Sequence, residues 1–393
     1  MGISAIPPPE RQTLDIRVLD SIDQCDARDW DTLFNSDYPF LQHRFLSLLE
    51  HSGSACTQTG WHPQHLLLSQ DEVTVAALPL YRKTHSRGEY VFDWAWAEAY
   101  HGRRLDYYPK LLSAVPFTPA SGPRLGLLPG ISLSDISPIL LSAIQQLAGQ
   151  QGATGWHLLF PQATLSGALQ TAGGMLRSGV QYLWNNRDYR DFTDFTDTFP
   201  SRKRKNINRE RHTLKRAGLL VERLTGAQIS ADWWEFFFVL YHRTYLKHSG
   251  NSGYLTQAFF QQLGQTMSDQ VMMVVAMEGD EKVAAALFFH DHNNLYGRYW
   301  GCTREYDFLH FELCYYQGIE FAIERGLGTF DAGAQGEHKI KRGFEPTENC
   351  SVHWIRHPDF AYAIGRFLKE ERQYVLNYIQ EARRQLPYKS VDQ

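Results

Sequence analysis

Residues 271–301 read VMMVVAMEGDEKVAAALFFHDHNNLYGRYWG. Three apolar runs of strand length are separated at Gly279-Asp280 and at 292–294, His-Asn-Asn. These residue types are typical of tight turns between antiparallel strands. The stretch therefore predicts a three-stranded antiparallel meander.

The elements around this meander extend the pattern. Two helices are predicted before it, at 232–247 and 255–267, and a helix at 310–325 leads into the strand GTFDAGA (328–334). A similar order of strand, two helices, meander, helix and strand can be followed through the N-terminal half. The sequence thus predicts an α/β protein with mixed sheets and two similar halves.

The length agrees with two domains. A single hydrophobic core usually stops growing at roughly 250 to 300 residues, and this chain has 393. We predict an N-terminal domain at 12–190 and a C-terminal domain at 191–357. The last segment, 358–393, is predicted to contain an amphipathic helix that packs on both domains.

The composition excludes several classes of protein. A hydrophobic content of 43%, an aromatic content of 13% and a net charge of only -4 exclude a disordered chain. No apolar run reaches the roughly 18 to 20 residues of a membrane span, and the N-terminus lacks the pattern of a signal peptide. The five Cys show no CxxC spacing. A cytoplasmic protein without disulfides or a zinc site is expected.

The charge is unevenly distributed along the chain. Residues 201–218 read SRKRKNINRERHTLKRAG and contain eight Lys or Arg and one acid, Glu210. Such a helix is either a solvated surface or the binding site of a phosphate-bearing ligand, and the near absence of acidic partners at helical spacing favours the ligand. Among phosphate-bearing ligands, a small donor molecule is the simplest explanation of this segment. The residues predicted to hold its phosphates are Arg202, Lys203, Arg204, Lys205, Asn206 and Arg209.

A glycine-rich segment concentrates groups suited to acyl transfer. Residues 330–346 read FDAGAQGEHKIKRGFEP. Transfer to an amine needs a base, an oxyanion stabiliser and groups that hold the substrates, whereas an exposed charged turn is the plain alternative. Asp331 or Glu337 is predicted as the base, and Lys339 as the stabiliser or as a phosphate ligand. Three further residues are predicted to bind substrate: Gln335, His338 and Arg342.

A third candidate lies in the N-terminal half, where residues 82–101 read RKTHSRGEYVFDWAWAEAYH. The Trp-rich part is interpreted as a strand that either belongs to the core or forms one wall of an acceptor pocket. The basic start is only a weak match to a pyrophosphate loop. The residues predicted to bind substrate here are Lys83, His85, Glu89, Asp93 and Trp94.

Other catalytic patterns are missing. There is no HExxH, Walker loop, GxGxxG after a strand, or GxSxG. A metal site, nucleotide hydrolysis and dinucleotide redox chemistry are therefore not predicted. Without a nucleophile motif, direct transfer in a ternary complex is expected rather than a covalent acyl-enzyme.

Several blocks resemble the bacterial Fem-like group of predicted N-acyltransferases. They are PFLQHRFLSLLEHSGS (39–54), LPLYRKTHSRGEYVFDWAWAEAY (78–100), YYPKLLSAVPFTPASGPRL (107–125) and the two charged segments quoted above. The resemblance implies two tandem GNAT-like domains. It also implies a transferase that adds an acyl or aminoacyl group to an amine of a peptidoglycan-type precursor.

The resemblance sets the expected partners as well. No tightly bound cofactor is expected, and the co-substrate is a coenzyme A thioester or an aminoacyl-tRNA. The acceptor is a small-molecule or peptide amine, with a UDP-linked cell-wall precursor as one form. The alternative is a catalytically idle GNAT-like module that binds an anionic glycan precursor, a nucleotide or RNA. The oligomeric state is not predicted.

Overall fold

A computed structural model describes residues 14–333 and 336–389. Fifteen strands are found in this part of the chain. They are β1 (Asp15–Leu19), β2 (Trp61–Pro63), β3 (His65–Gln70), β4 (Val73–Leu78), β5 (Tyr81–Lys83), β6 (Lys110–Ser113), β7 (Gly126–Leu127), β8 (Gly155–Leu159), β9 (Met175–Asn185), β10 (Leu219–Thr225), β11 (Val271–Glu278), β12 (Glu281–His290), β13 (Asn294–Cys302), β14 (Thr329–Asp331) and β15 (Glu345–Ile355).

Helices alternate with these strands. They are α1 (Ala27–Phe34), α2 (His43–His51), α3 (Trp94–Gly102), α4 (Leu133–Gln150), α5 (Ala163–Thr171), α6 (Phe192–Asp197), α7 (Ser201–Arg216), α8 (Ala231–Ser249), α9 (Gln257–Thr266), α10 (Leu309–Phe311), α11 (Gln317–Glu324) and α12 (Pro358–Arg383). A π-helical turn, Glu312–Tyr316, joins α10 to α11, and a 3-10 segment, Glu337–Arg342, lies between β14 and β15.

The strands form two sheets of an α/β protein, as predicted; the larger sheet is mixed, whereas all strand pairs of the smaller one are antiparallel. The smaller sheet has the order β1-β3-β4-β7, and the larger has the order β10-β11-β12-β13-β14-β9-β15-β8-β6-β5-β2. The two long strands β9 and β15 join the halves, because β9 pairs with β14 and β15 pairs with β8. The last strand of each half therefore lies beside strands of the other. The proposed domain bounds at 190 and 357 stay predictions.

The meander is formed as the sequence predicts. Strands β11, β12 and β13 pair antiparallel in chain order. The apolar runs of β11 and β12 are buried almost without interruption, since α8 and α9 cover one face of the sheet and the helical segment from Leu309 to Glu324 covers the other. This buried meander holds β13 rigidly beside β14.

One local prediction is wrong. The Trp-rich segment interpreted as a strand is the helix α3. Its buried side chains Trp96 and Tyr100 pack on α12, where Tyr100 stacks on Phe360 with a ring centroid distance of 3.8 Å. Because α12 arrives from the far end of the chain, tertiary packing decides the conformation here.

The helices of residues 14–333 and 336–389 differ from membrane spans. None of them combines the length and the apolar character that crossing a bilayer requires.

Candidate functional site

The parallel strands β13 and β14 pair over only three residues each, from Asn294 opposite Thr329 to Tyr296 opposite Asp331. Beyond this point β13 continues to Cys302, while the chain after β14 turns away. A cavity of about 540 Å³, here called the splay cavity, opens where the strands diverge. Both halves contribute to its lining, which consists of Tyr90, Pro119, Tyr241, Thr244, Tyr245, Gly297, Arg298, Tyr299, Trp300, His310, Tyr315, Ala332, Gly333, Gly336, His338 and Lys339.

Asp331 is buried at the end of β14, beside this cavity. Gln181 donates from Nε2 to both carboxylate oxygens at 2.8 Å, and the backbone N–H of Gly333 donates to Oδ1 at 2.8 Å. Burial raises the pKa of Asp331 despite these hydrogen bonds. The carboxylate is therefore fixed in position and is a stronger base than an exposed one.

Lys339 places a buried amine in the wall of the splay cavity. Its Nζ donates to the carbonyl oxygen of Gly333 at 2.6 Å. Burial lowers the pKa of Lys339 to about 8, although the carboxylate of Asp331 opposes the shift. At neutral pH the side chain is thus mostly an ammonium group. Within the described residues it makes one hydrogen bond, to Gly333, so it can also donate to a ligand in the cavity.

The other residues of the glycine-rich segment are placed differently. His338 lines the cavity, and its Nε2 lies 2.8 Å from the Tyr315 hydroxyl. Glu337 is exposed and accepts a hydrogen bond of 2.8 Å from Tyr378 on α12, outside the cavity lining. The predicted substrate residue Gln335 lies outside the described residues.

Arg342 is buried under the splay cavity and connects it to the basic helix α7. Its guanidinium donates to Glu210 at 2.9 Å and to the Tyr316 hydroxyl at 3.0 Å, and it lies 3.4 Å from the centroid of the Phe311 ring. It also donates to the backbone oxygen of His338 at 3.0 Å. The contacts of Arg342 are therefore all internal, and they hold the segment that carries Lys339.

The N-terminal half supplies one wall of the cavity. The hydroxyls of Tyr90 and Tyr245 lie 2.9 Å apart across the boundary between the halves. Phe117, in the loop PFTPASGPR (116–124), stacks on Tyr254 with a centroid distance of 5.0 Å and an interplanar angle of 4°. Pro119 of the same loop lines the cavity. This loop and the meander thus both contribute residues to the lining of the splay cavity.

The substrate residues predicted in the N-terminal half do not line the splay cavity. Lys83, Glu89 and Asp93 are buried in the interior of this half, whereas His85 is only half-buried. Trp94 begins α3 and is 54% exposed. The sequence analysis placed these residues in one substrate site. The structure instead places Lys83, Glu89 and Asp93 in a buried cluster and Trp94 at the surface.

Lys110, which the sequence reading did not single out, is the centre of the buried cluster. Its Nζ donates to Ser86 at 2.8 Å, to Glu89 at 2.7 Å and to Asp93 at a shorter distance. Burial raises the pKa of Glu89 to about 7 and lowers that of Lys83 to about 7. The cluster is nearly neutral overall, and its interactions are internal.

A chain of buried hydrogen bonds extends from this cluster to β15. The Tyr107 hydroxyl donates to Asp93 at 2.7 Å and lies 3.4 Å from Nε2 of His157. Nδ1 of His157 lies 2.7 Å from Nδ1 of His353. Nε2 of His353 lies 2.8 Å from the Ser351 hydroxyl. Burial lowers the pKa of both histidines, that of His157 to about 3. Because both rings are neutral and the carboxylate only accepts, every group in the chain donates towards Asp93. The network ties α3, β8 and β15 together.

The basic helix α7 has two different faces. One face is engaged: Arg204 pairs with Asp197 at 2.7 Å, and Arg211 pairs with Glu312 at 2.8 Å and with Glu320 at 2.6 Å. The opposite face exposes the remaining predicted ligands, and within the described residues these have no acidic partner. They are Arg202, Lys203, Lys205, Asn206 and Arg209.

A second cavity, of about 570 Å³, adjoins the splay cavity and shares Thr244, Trp300 and His310 with it. Its rim includes Arg243 and Lys247 of α8. The two cavities together form a cleft beside β13, to which β13 contributes residues from Gly297 to Cys302.

Three potential metal ligands meet outside this cleft, although the sequence spacing gave no sign of them. One ligand atom each from Asp37, Asp291 and His292 lies within 4.8 Å of the others. The oxygens of Asp291 already accept hydrogen bonds from Tyr296 and from the turn that follows β12. The group is therefore explained as a contact between the two halves.

Gln181 is the functional candidate that sequence reasoning missed most clearly. It lies on β9, 150 positions before Asp331, and nothing in its neighbourhood marks it as part of a site. Its side chain also donates to Pro119 and accepts from Asn349 at 3.0 Å. Only the pairing of β9 with β14 and β15 brings these residues together.

Comparison with known families gives one match. The FemAB-like family model, described as peptidoglycan biosynthesis/recognition, matches residues 21–390. No curated protein matches the sequence.

Solved structures with a similar fold include FemX, at a TM-score of 0.53 and 12% identity over 87% of this chain and 98% of that chain. A conserved protein of unknown function from Bacteroides thetaiotaomicron has a TM-score of 0.50 and an identity of 13%, over 87% of this chain and 100% of that chain. A tandem GNAT protein from the clavulanic acid biosynthesis pathway has a TM-score of 0.45 and an identity of 11%, over 88% of this chain and 99% of that chain. At 12% identity the likeness to FemX concerns the fold alone, and it confirms the predicted Fem-like α/β fold.

Proposed function

Because this chain belongs to the FemAB-like family of peptidoglycan biosynthesis/recognition proteins, we propose that it is an N-acyltransferase. It moves an acyl or aminoacyl group from a phosphate-bearing carrier to the amine of a peptidoglycan-type precursor. The observation that carries the proposal is a pair of buried groups at the splay cavity: Lys339 lines the cavity, and the carboxylate of Asp331 lies beside it, close enough to oppose the shift in the pKa of Lys339.

In the proposed reaction, the acceptor nitrogen attacks the carbonyl carbon of the donor. A C–N bond forms, the bond from the carbonyl carbon to the oxygen or sulfur of the carrier breaks, and the carrier leaves with a proton. The tetrahedral intermediate bears a negative oxygen, which the Lys339 ammonium stabilises. The low polarity that lowers the pKa of Lys339 also strengthens this interaction.

Asp331 takes the proton that the attacking nitrogen loses. A carboxylate offers about four acceptor positions. Gln181 and Gly333 occupy three of those of Asp331 and hold the side chain in one orientation. We propose Asp331 rather than Glu337 as the base, because Asp331 is buried beside the residues that line the cavity, whereas Glu337 is exposed and accepts a hydrogen bond from α12.

The reaction is tested by mass spectrometry of the acceptor after incubation with acyl-CoA or aminoacyl-tRNA mixtures and a UDP-linked cell-wall precursor. We expect acylated product with the wild type and a rate lower by about 10²-fold or more with Asp331→Asn, since an amide cannot accept the proton. Glu337→Gln is the matched comparison, and we expect less than a threefold change from it. The reverse pattern would assign the base role to Glu337. A failure to find product with any donor would favour an idle binding module.

The exposed face of α7 is the proposed site for the phosphates of the carrier. A thermal-shift screen of the wild type with coenzyme A, acyl-CoAs, UDP-sugars and tRNA identifies the donor that raises its melting temperature. We expect the double variant Lys205→Glu with Arg209→Glu to lose this stabilisation by the donor. Both side chains are exposed, so the free energy of unfolding without ligand should change by only about 0.5 kcal/mol.

Arg211→Ala is the control for this experiment. It removes a half-buried side chain that pairs with Glu312 and Glu320, so we expect a loss of stability without ligand of about 1 kcal/mol or more. A similarly large loss in the Lys205/Arg209 variant would mean that the exposed face of α7 is structural and binds no donor.

A further inference from the structure

The splay cavity contains a cation that the proposed reaction leaves without a role. Arg298 of β13 is part of the cavity lining. Its Nη2 donates to the backbone oxygen of Phe117 and lies 3.4 Å from the Tyr299 hydroxyl. Within residues 14–333 and 336–389, Nε and Nη1 have no hydrogen-bond partner and no carboxylate pairs with the guanidinium. Most of the N–H donors of Arg298 are therefore available to a ligand.

A β-bulge places this side chain at the cavity. In the pairing of β12 with β13, Leu287 lies opposite Tyr299 and Phe288 lies opposite Gly297, so Arg298 is the extra residue of β13. A bulge turns a side chain out of the regular alternation of its strand. The bulge comes directly after the residues of β13 that pair with β14. The guanidinium thus lies where the two strands diverge.

Hydroxyl groups and the proposed base lie near the guanidinium. The hydroxyls of Tyr90 and Tyr245 are 2.9 Å apart, and both residues line the cavity. One of these hydroxyls donates to the other, so the second keeps its proton for a ligand. Burial raises the pKa of Tyr90 and that of Asp331, and the positive charge of Arg298 is among the influences that oppose both shifts. Arg298 is therefore close to the tyrosine pair and to the proposed base.

The charges of the cavity restrict the acceptor. Arg298 and Lys339 line it, whereas the described part of its lining contains no acidic residue and Asp331 lies beside it. A simple amine is protonated at neutral pH, so this excess of positive charge repels it. A carboxylate on the same molecule offsets the repulsion, and its two oxygens match the guanidinium fork. The acyl carbon of the donor is bound to its carrier, so the free carboxylate belongs to the acceptor.

We propose that Arg298, together with the hydroxyls of Tyr90 and Tyr245, binds a carboxylate of the acceptor, so that the acceptor is an amino acid or a peptide with a free carboxylate close to its amine. The inference rests on the proposed function for the position of the amine at Asp331. An amine on a side chain without a neighbouring carboxylate fits this cavity poorly. The phosphates of the carrier stay assigned to the exposed face of α7.

Isothermal titration of the full-length protein without donor tests this inference. The probes are glycine, alanine, lysine and diaminopimelate, each compared at pH 7 with its carboxamide, which keeps the amine and loses the negative charge. We expect at least one amino acid to bind about tenfold or more tightly than its carboxamide. A panel without such a difference overturns the inference. Displacement of the bound amino acid by an equal concentration of inorganic phosphate also overturns it, because Arg298 would then be a phosphate ligand.

Variants assign the difference to the guanidinium. Arg298→Gln should reduce it to less than twofold, and Arg298→Lys, which keeps the charge, should retain part of it. Tyr299→Phe is the matched control, because the Tyr299 hydroxyl donates to the same oxygen of Phe117 at 3.1 Å. This substitution removes a contact with that oxygen without removing the charge, so it should keep the difference of the wild type. Equal behaviour of Arg298→Gln and Tyr299→Phe contradicts the assignment.

Tyr245→Phe tests the site even if Arg298→Gln does not fold. It keeps the ring and removes one hydroxyl of the tyrosine pair, so we expect the difference between amino acid and carboxamide to fall by about threefold. An unchanged difference in this variant would remove the tyrosine pair from the carboxylate site and overturn the inference as stated.

Acyl transfer separates this inference from the proposed function. Product formed equally well from amines with and without a carboxylate would contradict the carboxylate site and leave the transferase intact. Binding of an amino acid that depends on Arg298, without any acylated product, would contradict the transferase and leave the carboxylate site in place.

Discussion

Lys339→Met is expected to lower kcat for acyl transfer by about 10²-fold to 10³-fold, which is the usual effect of removing one oxyanion donor. Methionine has a similar length and no charge, so the fold should be retained. Lys341→Met is the control, because Lys341 lies in the same 3-10 segment but is exposed. Steady-state kinetics of both variants with the donor identified by thermal shift measure the difference. Equal effects of the two substitutions would contradict the assignment.

The pH dependence of kcat gives an independent check on Lys339. Its pKa is lowered to about 8, so the ammonium form that stabilises the oxyanion is lost as the pH rises through about 8. We therefore expect kcat to fall between about pH 7.5 and 9. Lys339→Arg, which stays charged over this range, should remove that fall even if its overall rate is lower. If kcat instead rises through pH 8, neutral Lys339 acts as the base.

Lys110→Met is expected to destabilise the protein by about 3 to 5 kcal/mol, the cost of leaving buried charges without their partner. Glu89 and Asp93 both accept from Lys110, and each has a second buried oxygen for which residues 14–333 and 336–389 offer no hydrogen-bond partner. Once the ammonium is removed, neither carboxylate keeps a hydrogen bond from a cation among the described residues. Urea denaturation at pH 7.5 measures the loss.

Lys83→Met is the matched control for Lys110→Met. Lys83 is also buried, but its Nζ only donates to the backbone oxygen of Arg87 at 3.4 Å and lies 3.9 Å above the Trp61 ring. Its pKa of about 7 means that burial already disfavours its charge. We expect a loss of about 1 kcal/mol or less. A loss below 1 kcal/mol for Lys110→Met would mean that water or protonation of Glu89 replaces the ammonium.

Much of the fold was predictable because its signals are local. The apolar runs separated by Gly279-Asp280, the basic helix after Pro200 and the strand that ends at Asp331 are all found where the sequence predicts them. Hydrophobic periodicity and turn residues act over about ten positions, so they can be read without knowledge of the rest of the chain. The helix α3 is the exception, since its partner α12 lies more than 250 positions away.

The candidate site was predictable only in part. Asp331 and Lys339 lie within one short glycine-rich segment, so their association could be inferred from the sequence. Which of the two acids is buried beside the cavity could not be inferred, because the choice between Asp331 and Glu337 depends on how the segment turns after β14. The role of Arg342 as an internal contact with Glu210 likewise depends on where α7 packs.

By itself, the sequence determined the α/β class, the antiparallel meander and the two charged segments, because each follows from patterns within a short stretch. Only the tertiary structure decided that Gln181 orients Asp331 and that Lys110 neutralises Glu89 and Asp93. The physical reason is that hydrogen bonds and ion pairs need atoms within about 3 Å. Such distances between residues far apart in the chain are set by strand pairing and helix packing, to which the local pattern of residues gives no direct clue.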